Sequence, residues 1–148
     1  MDAKRALDEA KGDMKAASVI LREKGVAMAA KRADRETKNG VIDSYIHAGG
    51  RIGVLVELNC ETDFVANTDD FRTLARNIAM QVAAMNPAVI APENRTPELE
   101  GADSEVCLLS QPYIRDASLT IADLVKEVIA KTGENVRVSR FTRFELGR

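Results

Sequence analysis

The run Ile52-Gly53-Val54-Leu55-Val56-Glu57-Leu58-Asn59-Cys60 does most to limit what this chain can fold into. Ile52, Val54, Val56, Leu58 and Cys60 alternate with Gly53, Leu55, Glu57 and Asn59. A period of two gives an extended segment one apolar face, so 51–60 reads as a half-buried strand. Ahead of it, Ala48-Gly49-Gly50 supplies the positive φ that tight hairpin turns demand. Val41–His47 then reads as the other arm of a hairpin.

Two amphipathic helices can cover the buried face. One runs from about Thr68 to Met85, with Asn67 as its expected cap. Phe71, Leu74, Ala75, Ile78, Val82 and Met85 fall at the i, i+3, i+4, i+7 spacing of a buried stripe, and Pro87 ends it. The other is capped by Thr120, turns Ile121, Leu124, Val125, Val128 and Ile129 inward, and stops at Gly133. Between them, residues 87–104 carry Pro87, Pro92 and Pro97 with several acids and read as a loop. Cys107–Ile114 reads as a short extended piece interrupted by Pro112, and Val136–Leu146 as a final strand rich in β-branched and aromatic residues.

The first 38 residues differ in character: ten Lys/Arg against seven Asp/Glu, much Ala, and no Pro. A helix from about Ala3 to Lys11 presents Ala6, Leu7 and Ala10 on one face, and Gly12 breaks it. Asp13 can cap a second helix that carries Ala17, Ile20 and Leu21 and is expected to stop near Gly25. Val26–Thr37 reads as a charged connector helix. The order is then α-α followed by β-β-α-loop-α-β, which places the chain in the α+β class.

With 148 residues, the chain has room for one domain, or one domain and a small appendage. A net charge of -2 argues against a whole-molecule nucleic-acid binder. Only 4% of residues are aromatic, so the core must be built from Ala, Val, Ile and Leu. Cys60 and Cys107 form no CxxC pair, and reduced thiols in a cytosol-like compartment are the expectation. No apolar run reaches membrane-spanning length, and the charged N-terminus has no signal-peptide core. A soluble intracellular protein is expected, in a bacterial-type cytoplasm or in an organelle's stroma or matrix.

Little of this supports catalysis. The single histidine, His47, could be imagined with Cys60 and Asp63 as a Cys-His-Asp arrangement, but Cys60 sits on the apolar face of its strand, where cysteine is usually a small core residue. There is no phosphate-binding glycine loop, and one His with two distant Cys cannot make a zinc site. No cofactor and no enzymatic chemistry are expected. The tail Arg137-Val138-Ser139-Arg140-Phe141-Thr142-Arg143-Phe144 could pair and stack with nucleic acid. It also reads as a sheet strand with Phe in the core and Arg in water, which the balanced charge favours.

The segment Asn59-Cys60-Glu61-Thr62-Asp63-Phe64-Val65 is more informative. A strand ends, and an Asp-Phe pair follows just before the next helix. Phe64 at such a corner can project outward as a partner-binding aromatic. It can equally close the end of the core, and the residues alone leave both readings open.

The segment Tyr45–Ala66 closely resembles translation elongation factor Ts. So do Met1-Asp2-Ala3-Lys4-Arg5-Ala6-Leu7, the helix Ile78–Ala84, and the ending Gly133-Glu134-Asn135-Val136 … Arg140-Phe141 … Arg143-Phe144-Glu145-Leu146-Gly147. The match spans nearly the whole chain in the family's order. The resemblance implies a guanine-nucleotide exchange factor for elongation factor Tu, with no direct nucleic-acid or membrane partner. It implies a ubiquitin-associated-like helical domain over 1–25, a connector over 26–40, and a core and dimerisation module over 41–148. That core would hold a three-stranded antiparallel sheet covered by helices. Carried over, the family's Mg²⁺-displacing segment is Thr62, Asp63, Phe64 and Val65, which makes Phe64 an interface wedge.

Three departures accompany the resemblance. Family members usually begin with a further helix before the Met-Asp, so the helical domain is expected to be truncated here. Residues 87–106 are shorter than the helix-rich segment usual at that place. Only one core module is present where longer members have two, which implies a homodimer. An RNA-binding translation accessory and a non-functional truncated relative are the alternatives.

Overall fold

The computed structural model describes residues 2–148. Helix α1 (Asp2–Glu9) ends in a turn closed by the Gly12 N–H on the Leu7 carbonyl. Asp13 then caps α2 (Met14–Arg32), its carboxylate accepting the N–H groups of Lys15 and Ala16. α2 does not stop at Gly25, and Val26–Thr37 is not a separate helix. The helix runs through to Arg32, and 33–38 is non-helical. Gly25 is buried against α6 (Ile121–Thr132), where its missing Cβ faces that of Ala130. A glycine inside a helix costs about 1 kcal/mol against alanine. It ends a helix only where the chain also turns left-handed, and here it lets two helices approach.

The hairpin forms as its alternation demands. β1 (Asn39–Ile46) and β2 (Ile52–Cys60) pair antiparallel, with Gly49 and Gly50 at positive φ in the turn. Val54, Val56, Leu58 and Cys60 are buried, while Leu55 faces out. A four-residue helix, α3 (Asp63–Ala66), follows at once, and then α4 (Asp69–Met85). Thr68, not Asn67, caps α4, its Oγ1 accepting the Phe71 N–H. Asn67 instead closes α3, its side chain donating to the Asp63 carbonyl. Phe71, Leu74, Ala75, Ile78 and Val82 are buried as the stripe predicts, but Met85 is exposed in the last turn.

Residues 87–106 form a loop with a tight turn at Pro92–Asn94 and a short helix α5 (Asp103–Val106). The extended piece expected over Cys107–Ile114 is largely a 3-10 turn at Leu108–Ser110, followed by β3 (Pro112–Tyr113). β3 pairs with β4 (Asp116–Thr120), a second small sheet that periodicity did not reveal. Gln81 of α4 fastens it from the core: its amide donates to Gln111 Oε1 and the Pro112 carbonyl, and its oxygen accepts the Ile114 N–H. α6 has a capping box between Thr120 and Asp123 and ends at Gly133 in the left-handed conformation.

β5 (Val136–Glu145) completes a three-stranded antiparallel sheet in the order β1-β2-β5. One face packs on α4 and α6 around Phe71, Leu58, Ile78 and Ile121. The fold is thus α+β, a helix-covered sheet preceded by a helical region. β5 corrects one expectation. Glu57 pairs with Arg140 and Leu58 with Val138, so Ser139 is an extra residue, a β-bulge. The bulge reverses the alternation. Val136 and Val138 point inward before it, and Phe141 and Arg143 after it. Phe144 is therefore turned outward and Arg143 inward, where its guanidinium donates to the Ala83 carbonyl near the end of α4.

Candidate functional site

The corner between β2 and α4 is built from three parts of the chain. β2 ends at Cys60, and Thr62 caps α3, its Oγ1 accepting the Val65 N–H at 3.3 Å. Val65 and Ala66 are buried in the core, while Thr62, Asp63 and Phe64 are exposed. Phe64 is 81% exposed, the most open of the large apolar side chains among the described residues. It does not close the core. The exposed Asp63 carboxylate beside it makes no hydrogen bond or ion pair among the described residues, while its backbone carbonyl accepts both the backbone and side-chain N–H of Asn67.

The second part is the turn between α6 and β5. Glu134 Oε1 accepts the N–H of Glu61 (3.1 Å) and of Thr62 (3.0 Å), and Glu134 Oε2 accepts the Thr62 hydroxyl (2.7 Å). Glu61 reaches back, its Oε2 accepting the Asn135 N–H. The third part follows α2. The buried Asn135 donates its amide to the carbonyls of Ala33 and Arg35, and Arg35 forms an ion pair with Glu61. The family resemblance points to Thr62–Val65 but not to this support, whose members lie 72 residues apart in the chain.

Below the corner, the Cys60 thiol donates to the Thr62 carbonyl at 3.0 Å. Burial, helped by the nearby Glu134 carboxylate, pushes that thiol up to about 11. It stays protonated and inert at neutral pH. The imagined Cys-His-Asp arrangement does not form. His47 lies at the turn end of the hairpin and Cys60 at the open end, roughly 25 Å away along a strand. His47 instead meets the Tyr45 hydroxyl. No group of three metal-binding side chains occurs among the described residues. In the basic tail, Arg140 pairs with Glu57 and Arg143 is turned into the fold, so the strand does not present an open row of cations.

The family model described as Elongation factor TS matches residues 6–98 and 96–148. The elongation factor Ts of Carboxydothermus hydrogenoformans is 49% identical over 177 residues, covering 99% of this chain and 82% of that protein. The elongation factor Ts of Thermotoga petrophila is 49% identical over 175 residues, covering 99% and 88%. The chain belongs to the elongation factor Ts family. It is by descent a translation elongation factor, and no helix among its described residues is long and apolar enough to cross a membrane. The two blocks matched by the elongation factor Ts model meet at 96–98, inside the loop after α4. Both alignments are longer than the chain, so those relatives carry residues without a counterpart here.

Proposed function

We propose that this chain is a guanine-nucleotide exchange factor for elongation factor Tu that releases GDP by pressing Phe64 into the partner beside its nucleotide-bound Mg²⁺. The observation that carries the reading is the placement of Phe64. The chain has four phenylalanines, and this one stands almost fully in water on a corner whose neighbours Val65 and Ala66 are anchored in the core. A large exposed aromatic on a rigid support fits the pattern of an interface hot spot.

In this reading the nucleotide and the metal belong to the partner, which holds GDP through a phosphate-cradling loop and Mg²⁺. Phe64 displaces side chains near that metal, and the unpaired Asp63 carboxylate perturbs its water network. Thr62 and Val65 fix the geometry. Metal and phosphate contacts weaken together, and GDP leaves. Such a factor binds the nucleotide-free partner more tightly than the GDP-bound one. Reciprocity then makes any incoming nucleotide weaken the factor's grip by the same ratio, so GTP releases it. No bond is made or broken, so the activity needs no cofactor of the chain's own and is not enzymatic in the strict sense. Its place of work is the cytoplasm, alongside translation.

A second copy of the chain is the other partner we propose. Ile42 and Ile46 of β1, Leu55 of β2 and Phe144 of β5 are all exposed on the outer face of the sheet. Gly53 lies opposite both Ile46 and Phe144, so apolar side chains of all three strands share this face, with the Glu57–Arg140 ion pair beside Ile42. Exposed apolar side chains gathered on one face mark interaction sites, and a two-fold pairing sets such a face against its own copy. The deciding experiment for exchange is release of labelled GDP from elongation factor Tu. Catalytic amounts of this chain accelerate it, and Phe64→Ala removes most of the acceleration. Full exchange by Phe64→Ala would sink the wedge.

A further inference from the structure

We infer that Glu134 is the positioning residue of the Thr62–Phe64 corner, holding Phe64 in the orientation that exchange requires. The inference rests on the exchange reading above. α3 has only four residues, and a helix so short cannot order itself. The aim of Phe64 must therefore be set from outside. Val65 and Ala66 anchor the corner on its core side. On the other side, the residue that fixes where α3 begins is Thr62, and every polar group of Thr62 is engaged. Its N–H and O–H donate to the two oxygens of Glu134, and its Oγ1 accepts from Val65. Its carbonyl accepts from the Cys60 thiol and the Ala66 N–H. Glu134 alone supplies both acceptors, and takes the Glu61 N–H as well.

The arrangement is reciprocal. Glu134 grips the backbone after β2, and Glu61 of that backbone grips Asn135, the residue after Glu134. Two chain segments are thus clasped by carboxylates crossing in opposite directions, and a shift of one segment would break bonds in both. Glu134 makes no ion pair among the described residues, so it acts through hydrogen-bond geometry rather than through a counter-charge. Glutamine in its place keeps one acceptor oxygen for the two backbone N–H groups and offers Thr62 an N–H. Alanine keeps nothing. The clasp also explains why the support sits on the α6–β5 turn: Gly133, left-handed at the end of α6, reverses the chain and presents Glu134 immediately.

The test is a double-mutant cycle on the maximal rate of GDP release at saturating factor, with affinity for nucleotide-free elongation factor Tu measured alongside. Glu134→Ala is expected to lower the maximal rate about tenfold, the scale of losing hydrogen bonds to a charged group that set the aim of a hot-spot side chain. Glu134→Gln is expected to stay within about threefold of the parent, since it retains the backbone bonds. In the Phe64→Ala background, Glu134→Ala should add nothing, because residues acting through one another are non-additive. Thr62→Ser, which keeps the hydroxyl bonds to Glu134 and Val65, should retain the parent rate, whereas Thr62→Val, which removes both, should repeat the pattern and serves if Glu134→Ala unfolds. A full rate for Glu134→Ala, or an undiminished further loss on top of Phe64→Ala, would overturn the positioning role. A full rate for Phe64→Ala alone would overturn the wedge, and no acceleration of GDP release by the parent chain would overturn the exchange reading instead.

Discussion

Gly40 lies so close to Leu58 that a Cβ built on it would overlap the Leu58 carbonyl oxygen and come within 2.8 Å of the Asn59 Cα. Both obstacles are backbone of the neighbouring strand, which cannot rotate away. Gly40 also has φ +152°, a conformation that other residues rarely adopt. Gly40→Ala should therefore cost roughly 3 kcal/mol or more, from overpacking and backbone strain together. Denaturant unfolding would check it. Gly49→Ala, in the open hairpin turn with nothing within 4 Å, carries only the φ penalty and should cost less.

Phe64 and Phe71 make opposite predictions although they lie only seven residues apart. Phe71 is fully buried, so Phe71→Ala should destabilise by about 3 to 5 kcal/mol. Phe64→Ala should leave stability within about 0.5 kcal/mol, as substitutions at exposed positions usually do. The exchange assay should show the reverse order, with Phe64→Ala losing most of its activity while fully folded. Thermal melts run beside GDP-release assays would separate the two.

Cys60 makes stability depend on alkaline pH. Its thiol is pushed up to about 11 by burial and by Glu134, against an ordinary value of 9.0. The native state therefore holds this proton more tightly than the unfolded chain. That contribution is intact below pH 9.0 and is lost as the pH rises through about 11. Burial also raises Cys107, which adds in the same direction. Unfolding free energies across this window should fall less steeply for Cys60→Ala than for the parent. Equal slopes would show that the thiol is not held protonated by the fold.

Gln81 is a buried polar residue with all three of its hydrogen bonds directed at the β3–β4 hairpin or the residue before it. Replacing it with Leu keeps the volume but strands the Ile114 N–H and the Gln111 oxygen. A buried group left unpaired costs about 1 to 3 kcal/mol, and of these only the Gln111 oxygen is fully buried while Ile114 can reach water, so Gln81→Leu should lose roughly 1 to 3 kcal/mol. Hydrogen exchange at Ile114 would report the opened bond directly.

How much of this was legible beforehand depended on the range of the interaction responsible. The hairpin, the stripe of α4 and the capped α6 are local patterns, and each is found within a residue or two of its expected limits. Gly25 misled because its role is a contact with Ala130, over a hundred residues later. Phe144 misled because side-chain type places both phenylalanines in the core, whereas the register with β2, including the bulge at Ser139, turns Phe141 inward and Phe144 outward. The corner itself was visible as a strand ending in Thr-Asp-Phe-Val. Its clasp was not, since nothing local to Glu134 marks it as the partner of Thr62.

That bulge leads to the last prediction. By turning Phe144 outward opposite Gly53, it adds an aromatic ring to a face already carrying Ile42, Ile46 and Leu55. Phe144 is 71% exposed in the single chain, so its substitution should hardly change the stability of that chain. If two copies meet through this face, a charge placed there must be buried unpaired on both sides, which is costly. Leu55→Glu and Phe144→Glu should then shift the protein from a dimer to a monomer of 16.1 kDa in light scattering. Met14→Glu, on the exposed start of α2, should leave the dimer intact. A parent chain that is monomeric at micromolar concentration, or a dimer indifferent to both sheet substitutions, would remove this face as the interface.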